Sequence, residues 1–324
     1  MNGSPQKLSP WRRHAWIAYL AVFAGVCGHA SSEFVAVLSG IGGPELSVLR
    51  FVLGGTGLVV LALLFDDSRD LIAPFRTHAV HLLALSALGV TVGYLLFHWS
   101  LDFATVPQVA TAVTTIPIFV GFVNLWRNRE PIGAAKMITG AAAVTGVALL
   151  VTDGYLLDPA GGANTLFGVL LAFGCAAAVG SYMVLVRPIV AEYGALRITA
   201  ITMMLGGLGL WLLVGASWGL WVGPGRLAEL DAGALAALLT IAFYNTTITQ
   251  FLWIGGLAAV PDITRGSYLF FLKPVIAAML AVTFLAQALS TAQALAIFVI
   301  CASVVMEANW RRLARAFNRS ADDG

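Results

Sequence analysis

A lysine stands at position 273 inside the apolar stretch "LFFLKPVIAAMLA" (269–281), with Pro274 directly after it. A Lys in the middle of a membrane-spanning helix costs about 2.5–3.5 kcal/mol, so its head should face protein or a water-filled interior. Pro274 removes a backbone donor and frees a carbonyl near the same depth, which predicts a kink there. An amine beside a kink suits a carboxylate-binding site or a charge gate; a structural ion pair accounts for it as well. Arg265 and Tyr268 precede it, three residues apart and therefore on one helical face. Arg265 is read either as a guide for anions entering a cavity or as an anchor at the membrane surface.

Four more stretches carry groups of comparable interest. "GHASSEF" places His29 and Glu33 at i and i+4, one above the other. Glu33 could pair with Lys273, hold a substrate amine or carry a coupled proton, and a free imidazole such as that of His29 titrates near neutral pH. A hydrogen-bonded polar pair closing that end of the helix is the alternative. "GYLLFHWSLD" puts Tyr94 and His98 on one face, with Trp99 read as an interfacial anchor. Gln108, Thr111 and Thr115 form a polar stripe leading to a second mid-run proline, Pro117, although such hydroxyls also bond back to their own helix. "FYNTTITQFLWIGG" repeats Asn245, Thr249 and Trp253 every four residues beside Tyr244, and these four are expected on a cavity wall. Arg50 is read as structural, pairing with Glu45 or Glu33, and Glu130 and Gln287 as helix caps.

The elements that must position these groups are membrane helices. Hydrophobic residues are 59 % of the 324, charged residues 10 %, and mean hydropathy is +0.89. A soluble domain carries about a quarter charged residues. The net charge of +2 argues against nucleic acid as a partner. The three cysteines fall within apolar runs at spacings that suit neither metal nor disulfide, and no metal or cofactor is expected. Ten runs are long enough to cross about 30 Å of hydrocarbon: 15–38, 44–65, 79–100, 104–126, 131–151, 165–187, 196–217, 233–255, 260–286 and 289–309. The first run has some features of a signal peptide, but its removal would leave an odd number of spans and break the symmetry below.

Arg and Lys accumulate on the side that stays cytoplasmic. One set of loop ends holds Lys7, Arg12, Arg13, Arg69, Arg76, Arg127, Arg129, Lys136, Arg187, Arg197 and the four arginines after residue 310, against Arg226 alone on the other. This predicts ten helices in a cytoplasmic (inner) membrane with both termini in the cytoplasm.

The two halves repeat. "ATVPQVATAVTTIPIFVGFVNLWRNRE" and "AAVPDITRGSYLFFLKPVIAAMLAVTFLAQ" each open on A-x-V-P and carry a second proline, with Glu130 and Gln287 each thirteen residues beyond it. Five helices per half insert the second copy upside down. The expected divisions are a first repeat over 1–154, an extracytoplasmic linker over 155–164, an inverted second repeat over 165–310 and a basic cytoplasmic tail over 311–324.

A five-helix repeat with a proline in its fourth helix and Glu before its fifth resembles the EamA-like branch of the drug/metabolite transporter superfamily. "TIPIFVGFVNLWRNREPIGAAKMITGAAAVTGVALL" (115–150) is similar to that branch's pattern, and "FLKPVIAAMLAVTFLAQALS" (271–290) to its second copy, with Gln287 where Glu is usual. The resemblance implies an all-α membrane protein in which helices 1, 3, 4, 6, 8 and 9 enclose a central cavity, 2 and 7 stand beside them, and 5 and 10 lie outside. It implies a secondary-active exporter of a small metabolite working by alternating access. An amine, a carboxylate and aromatic groups point to an amino acid, aromatic or apolar. Exporters of organic cations or other metabolites, and a channel or scramblase, are the alternatives. No nucleotide-binding motif, HExxH or nucleophile elbow is present, so the chain is expected not to be an enzyme and not to be driven directly by ATP. Proton or ion coupling fits His29 and Glu33, and the small-residue faces of helices 5 and 10 permit a homodimer.

Overall fold

The computed structural model describes residues 14–104, 106–152, 162–285 and 290–322. Gln287, Lys7, Arg12, Arg13 and most of the expected 155–164 linker lie outside these, and so do the side chains of Glu33 and of the basic tail. The described residues form helices and connecting turns, without a strand. In chain order the helices are α1 (Ala15–Leu38), α2 (Gly43–Leu64), α3 (Phe75–Ser100), α4 (Gln108–Asn128), α5 (Ala134–Leu149), α6 (Thr165–Tyr193), α7 (Ala195–Trp218), α8 (Ala232–Ala259), α9 (Ile263–Leu280) and α10 (Ala294–Glu307). Eight are long and apolar enough to cross a membrane; α5 and α10 are shorter. At 1.5 Å per residue the apolar part of α5 reaches about 24 Å, less than a bilayer core.

Helix partners are exchanged in a regular way. Helix α2 packs along α7 and α5 along α10; α1 packs on α8 and α9, as α6 packs on α3 and α4. The pairing is unchanged when α1–α5 are exchanged in order with α6–α10. Glycines allow the close approach that membrane helices need. A Cβ on Gly55 would come within 3.0 Å of the Met204 backbone, and one on Gly207 within 2.8 Å of the Phe51 backbone, so α2 and α7 touch main chain to main chain.

The expected proline kinks take another form. Helix α4 is interrupted at Thr114 and Thr115 and restarts as Ile116–Asn128, with Pro117 its second residue. Helix α9 runs as Ile263–Ser267, a tight 3₁₀ stretch Tyr268–Leu272, and then Lys273–Leu285, with Pro274 again second. The first N–H groups of a helix lack intrahelical partners, so proline there is harmless and pre-sets φ. Pro117 and Pro274 thus begin helical pieces rather than bend continuous ones. Helices α3 and α8, the third of each set of five, each contain a widened π-helical stretch, Ala87–Val92 and Thr240–Ile248. In α8 the hydroxyls of Thr246 and Thr249 donate to carbonyls five residues back, at 2.8 and 2.9 Å, lining the wider turn with their own side chains.

The two ends of the bundle differ. At one, Arg226 donates to Glu45 at 2.6 Å and Glu229 at 3.0 Å, and Asp102 accepts from the Gly43 N–H at 3.2 Å, tying the loop before α8 to α2 and α3. At the Arg-rich end, Lys136 pairs with Asp262 at 2.7 Å, and Arg187 donates to the carbonyls of Val260 and Ala258 at the end of α8. Asp262 also accepts the Arg265 N–H at 3.0 Å, capping α9. Burial raises the Asp262 carboxyl, but the hydrogen bond from Lys136 and that N–H outweigh it and hold the group below its ordinary value. A lowered carboxylate stabilises the fold above its unfolded pKa and loses that contribution as pH falls through the folded one. The melting temperature in detergent should therefore drop as pH falls below about 4. Lys136→Met should flatten that acid limb, which a pH series of melting curves on both proteins checks.

Candidate functional site: a cavity at mid-depth

Between the two halves lies a hollow bordered by His29 and Ser32 of α1, Arg50 of α2, Tyr94 and Phe97 of α3, and Val113 and Ile116 at the α4 break. Cys175, Val179 and Met183 of α6, Trp253 of α8, and Phe270 and Lys273 at the α9 break complete it. Its lining comes from helices 1, 2, 3, 4, 6, 8 and 9. The interruptions of α4 and α9 end at its wall, which is how Lys273 comes to open a helical piece there. The hollow is narrow, about 20 Å³, room for about one water.

Two cations are buried in this wall. Lys273 is 4 % exposed, with Nζ over the faces of Phe270 at 5.5 Å and Phe97 at 5.9 Å. Arg50 is fully buried and rests over Phe51 at 5.3 Å and Tyr94 at 5.6 Å. Ring faces carry negative electrostatic potential and partly replace lost water. The Tyr94 and Phe97 rings meet edge to face at 6.4 Å, so an aromatic pair separates the two charges. The Arg50 Nε donates to Thr246 Oγ1 at 2.9 Å, Nη2 to the Asn245 carbonyl at 3.3 Å, and Nη1 bonds His98 Nε2 at 3.2 Å. Also on the wall, His29 has rings of Trp253 and Phe270 beside it at 5.8 and 5.7 Å, while its buried Nε2 has no protein hydrogen-bond partner.

A second, wider hollow of about 1100 Å³ opens at the Arg-rich end, lined by His81, Arg127, Glu130, Arg187 and the Ala258–Pro261 turn among others. Met183 borders the inner hollow and Val184, next along α6, borders the vestibule.

The sequence profile of the EamA-like transporter family matches residues 11–152 and again 166–307. The chain belongs to the EamA-like transporter family. Each EamA match spans one five-helix set, and the family's members are membrane transporters with small-molecule substrates. A solved structure titled only "Crystal structure of protein" superposes with a TM-score of 0.73 at 18 % identity, over 91 % of this chain and 98 % of that one, a likeness of fold. A search of curated proteins returned no match.

Within this EamA bundle the sequence-derived residues separate. Lys273, His29, Tyr94 and Trp253 meet at the hollow. Tyr94 Oη accepts a hydrogen bond from Gln250, and Trp253 Nε1 donates to Met183 Sδ at 3.0 Å. His98 stands behind Arg50. Asn245 is buried but faces α1, donating to the Gly28 carbonyl at 2.6 Å and Ser31 Oγ at 2.9 Å. Thr249 packs on Gly28 beside it, where a Cβ would lie 1.9 Å from Thr249 Oγ1. Both belong to the α1–α8 seam rather than the hollow. Tyr244 is 45 % exposed on the outer side of α8 and does not border the hollow. Thr115 back-bonds to the Ala112 carbonyl at 2.6 Å, and Gln108 and Thr111 are half-buried on α4 outside the hollow's lining. Tyr268 donates to the Lys136 carbonyl and packs with Ala143 and Val147 of α5.

Arg265 joins α9 to α10: its Nε reaches both Glu307 oxygens at 3.0 and 3.2 Å and its Nη2 donates to the Glu307 carbonyl. Glu307→Ala should lower stability by about 1–3 kcal/mol, the usual loss when a charged group forfeits its partner. Substrate KM should stay unchanged, as denaturation and transport assays on one preparation would reveal. Glu45 is bonded by Arg226, which answers the expectation that it serves Arg50. Glu130 accepts from Asn124 Nδ2 at 2.7 Å, reaching back to α4.

Arg50 borders the hollow, a position that residue type alone did not indicate. Its position six residues into a run resembles an interfacial anchor.

Proposed function

We propose that this protein is a secondary-active transporter that exports an amino acid, aromatic or apolar, by alternating access. The observation that carries the reading is a buried ammonium, Lys273, on the wall of a hollow between the two repeats, flanked by aromatic rings. An ammonium attracts a substrate carboxylate, and Phe97, Trp253 and Phe270 suit an apolar side chain. The Arg-rich end is assigned to the cytoplasm by the positive-inside rule. The wide vestibule there and the ion-paired opposite end then correspond to an inward-facing, contracted state, and the hollow widens when substrate enters. Two buried cations disfavour organic cations as cargo. Residues 1–154 and 165–310 act as the two rocking halves.

Purified protein in proteoliposomes should accumulate labelled aromatic amino acids in counterflow. Thermal-shift screening against amino acids, organic cations and nucleotide sugars tests the substrate class. Stabilisation by compounds other than amino acids alone would overturn it, and unitary currents in bilayers would favour a channel.

A further inference from the structure

We infer that His29 is a specificity-determining residue of the mid-depth hollow, whose Nε2 accepts a hydrogen bond from the ring N–H or O–H of an aromatic substrate. The cargo is then an indole- or phenol-bearing amino acid rather than a purely apolar one. The inference rests on the reading of this hollow as the transport site and narrows its substrate class.

His29 is 6 % exposed and borders the hollow, and its buried Nε2 has no hydrogen-bond partner among the described residues. Leaving such a group unpaired costs about 1–3 kcal/mol, and most buried side-chain polar atoms are bonded for that reason. Neither ring beside the imidazole offers a partner. It meets Trp253 edge to face at 5.8 Å and Phe270 at 5.7 Å, and those two rings lie 5.1 Å apart, so three rings close one corner. Phe270 has no polar side-chain atom, and Trp253 spends its Nε1 on Met183 Sδ at 3.0 Å. The corner thus offers ring faces and edges to a flat substrate side chain, with one unpaired nitrogen among them. An indole N–H is a donor only, and a phenol O–H also donates; an imidazole with its proton on Nδ1 accepts either at Nε2. A site that pairs such a group rejects the analogue lacking it, because the nitrogen then stays buried and unpaired.

The test uses matched ligand pairs on the full-length protein. L-tryptophan is set against L-3-benzothienylalanine, whose sulfur replaces the ring N–H, and L-tyrosine against L-phenylalanine. Binding is read by competition and thermal stabilisation in detergent, and transport in proteoliposomes. Wild type should prefer the first of each pair by about tenfold. His29→Leu should lower tryptophan and tyrosine affinity to that of their partners, with benzothienylalanine and phenylalanine nearly unchanged, a pattern that misfolding does not produce. His29→Gln, whose amide oxygen still accepts, should keep part of the preference. Equal handling of each pair by wild type, or a preference that survives in His29→Leu, overturns the inference and leaves the export reading standing. Failure of all four amino acids to bind removes the amino-acid reading, and the corner is then judged with indole and benzothiophene. An indole preference that His29→Leu abolishes supports the subsite; equal or absent binding overturns it.

Discussion

Lys273→Ala should abolish transport while leaving a folded protein in the membrane. The ammonium is buried at the wall of the hollow, and its contacts with Phe97 and Phe270 are ring faces that the methyl of alanine leaves intact. Removing a charge-assisted contact to a substrate carboxylate costs about 1.5–3 kcal/mol in neutral surroundings and more in a desolvated pocket, so kcat/KM falls by at least about tenfold. Folding is read separately, from the melting temperature of the variant in detergent. Counterflow and melting curves on the same preparation separate the two effects. A normal transport rate would remove Lys273 from the site.

Gly43→Ala should be the most damaging small substitution for the fold. A Cβ there would lie 2.3 Å from the carbonyl oxygen of His98 and 2.6 Å from its carbon, so α2 or α3 must move bodily. Overpacking of this kind costs about 1–3 kcal/mol, and more when backbone rather than side chain is struck. The shift would also pull His98 from Arg50. Gly42→Ala is the matched control, since its added Cβ meets nothing within 4 Å and its φ of −61° suits any residue. Equal melting temperatures for the two variants would contradict the packing described at this junction.

Much of this architecture was legible in the sequence because the bilayer restricts the choices. Long apolar runs, two similar proline-bearing segments and a one-sided distribution of arginines point to paired helical repeats. Lys273 was legible for the same reason: hydrocarbon makes an internal amine conspicuous. What the sequence obscured follows from local geometry. A four-residue repeat through Asn245, Thr249 and Trp253 assumes an α-helix, whereas Thr240–Ile248 of α8 is π-helical and changes the register along the run. Threonines such as Thr115 spend their hydroxyls on their own helix. Arg265 has two identities in sequence, and only the fold brings Glu307 to it, from forty-two residues along the chain. Arg50 acquires its partners from α3 and α8, which no local pattern announces.

The account turns on where substrate sits. A structure of the wild-type protein bound to the amino acid that stabilises it most should show that ligand in the widened mid-depth hollow. Its carboxylate should lie within hydrogen-bond distance of Lys273 Nζ and its side chain against Trp253 and Phe270. Ligand confined to the vestibule among Arg127, Arg187 and Glu130, with the inner hollow as narrow as before, would contradict it.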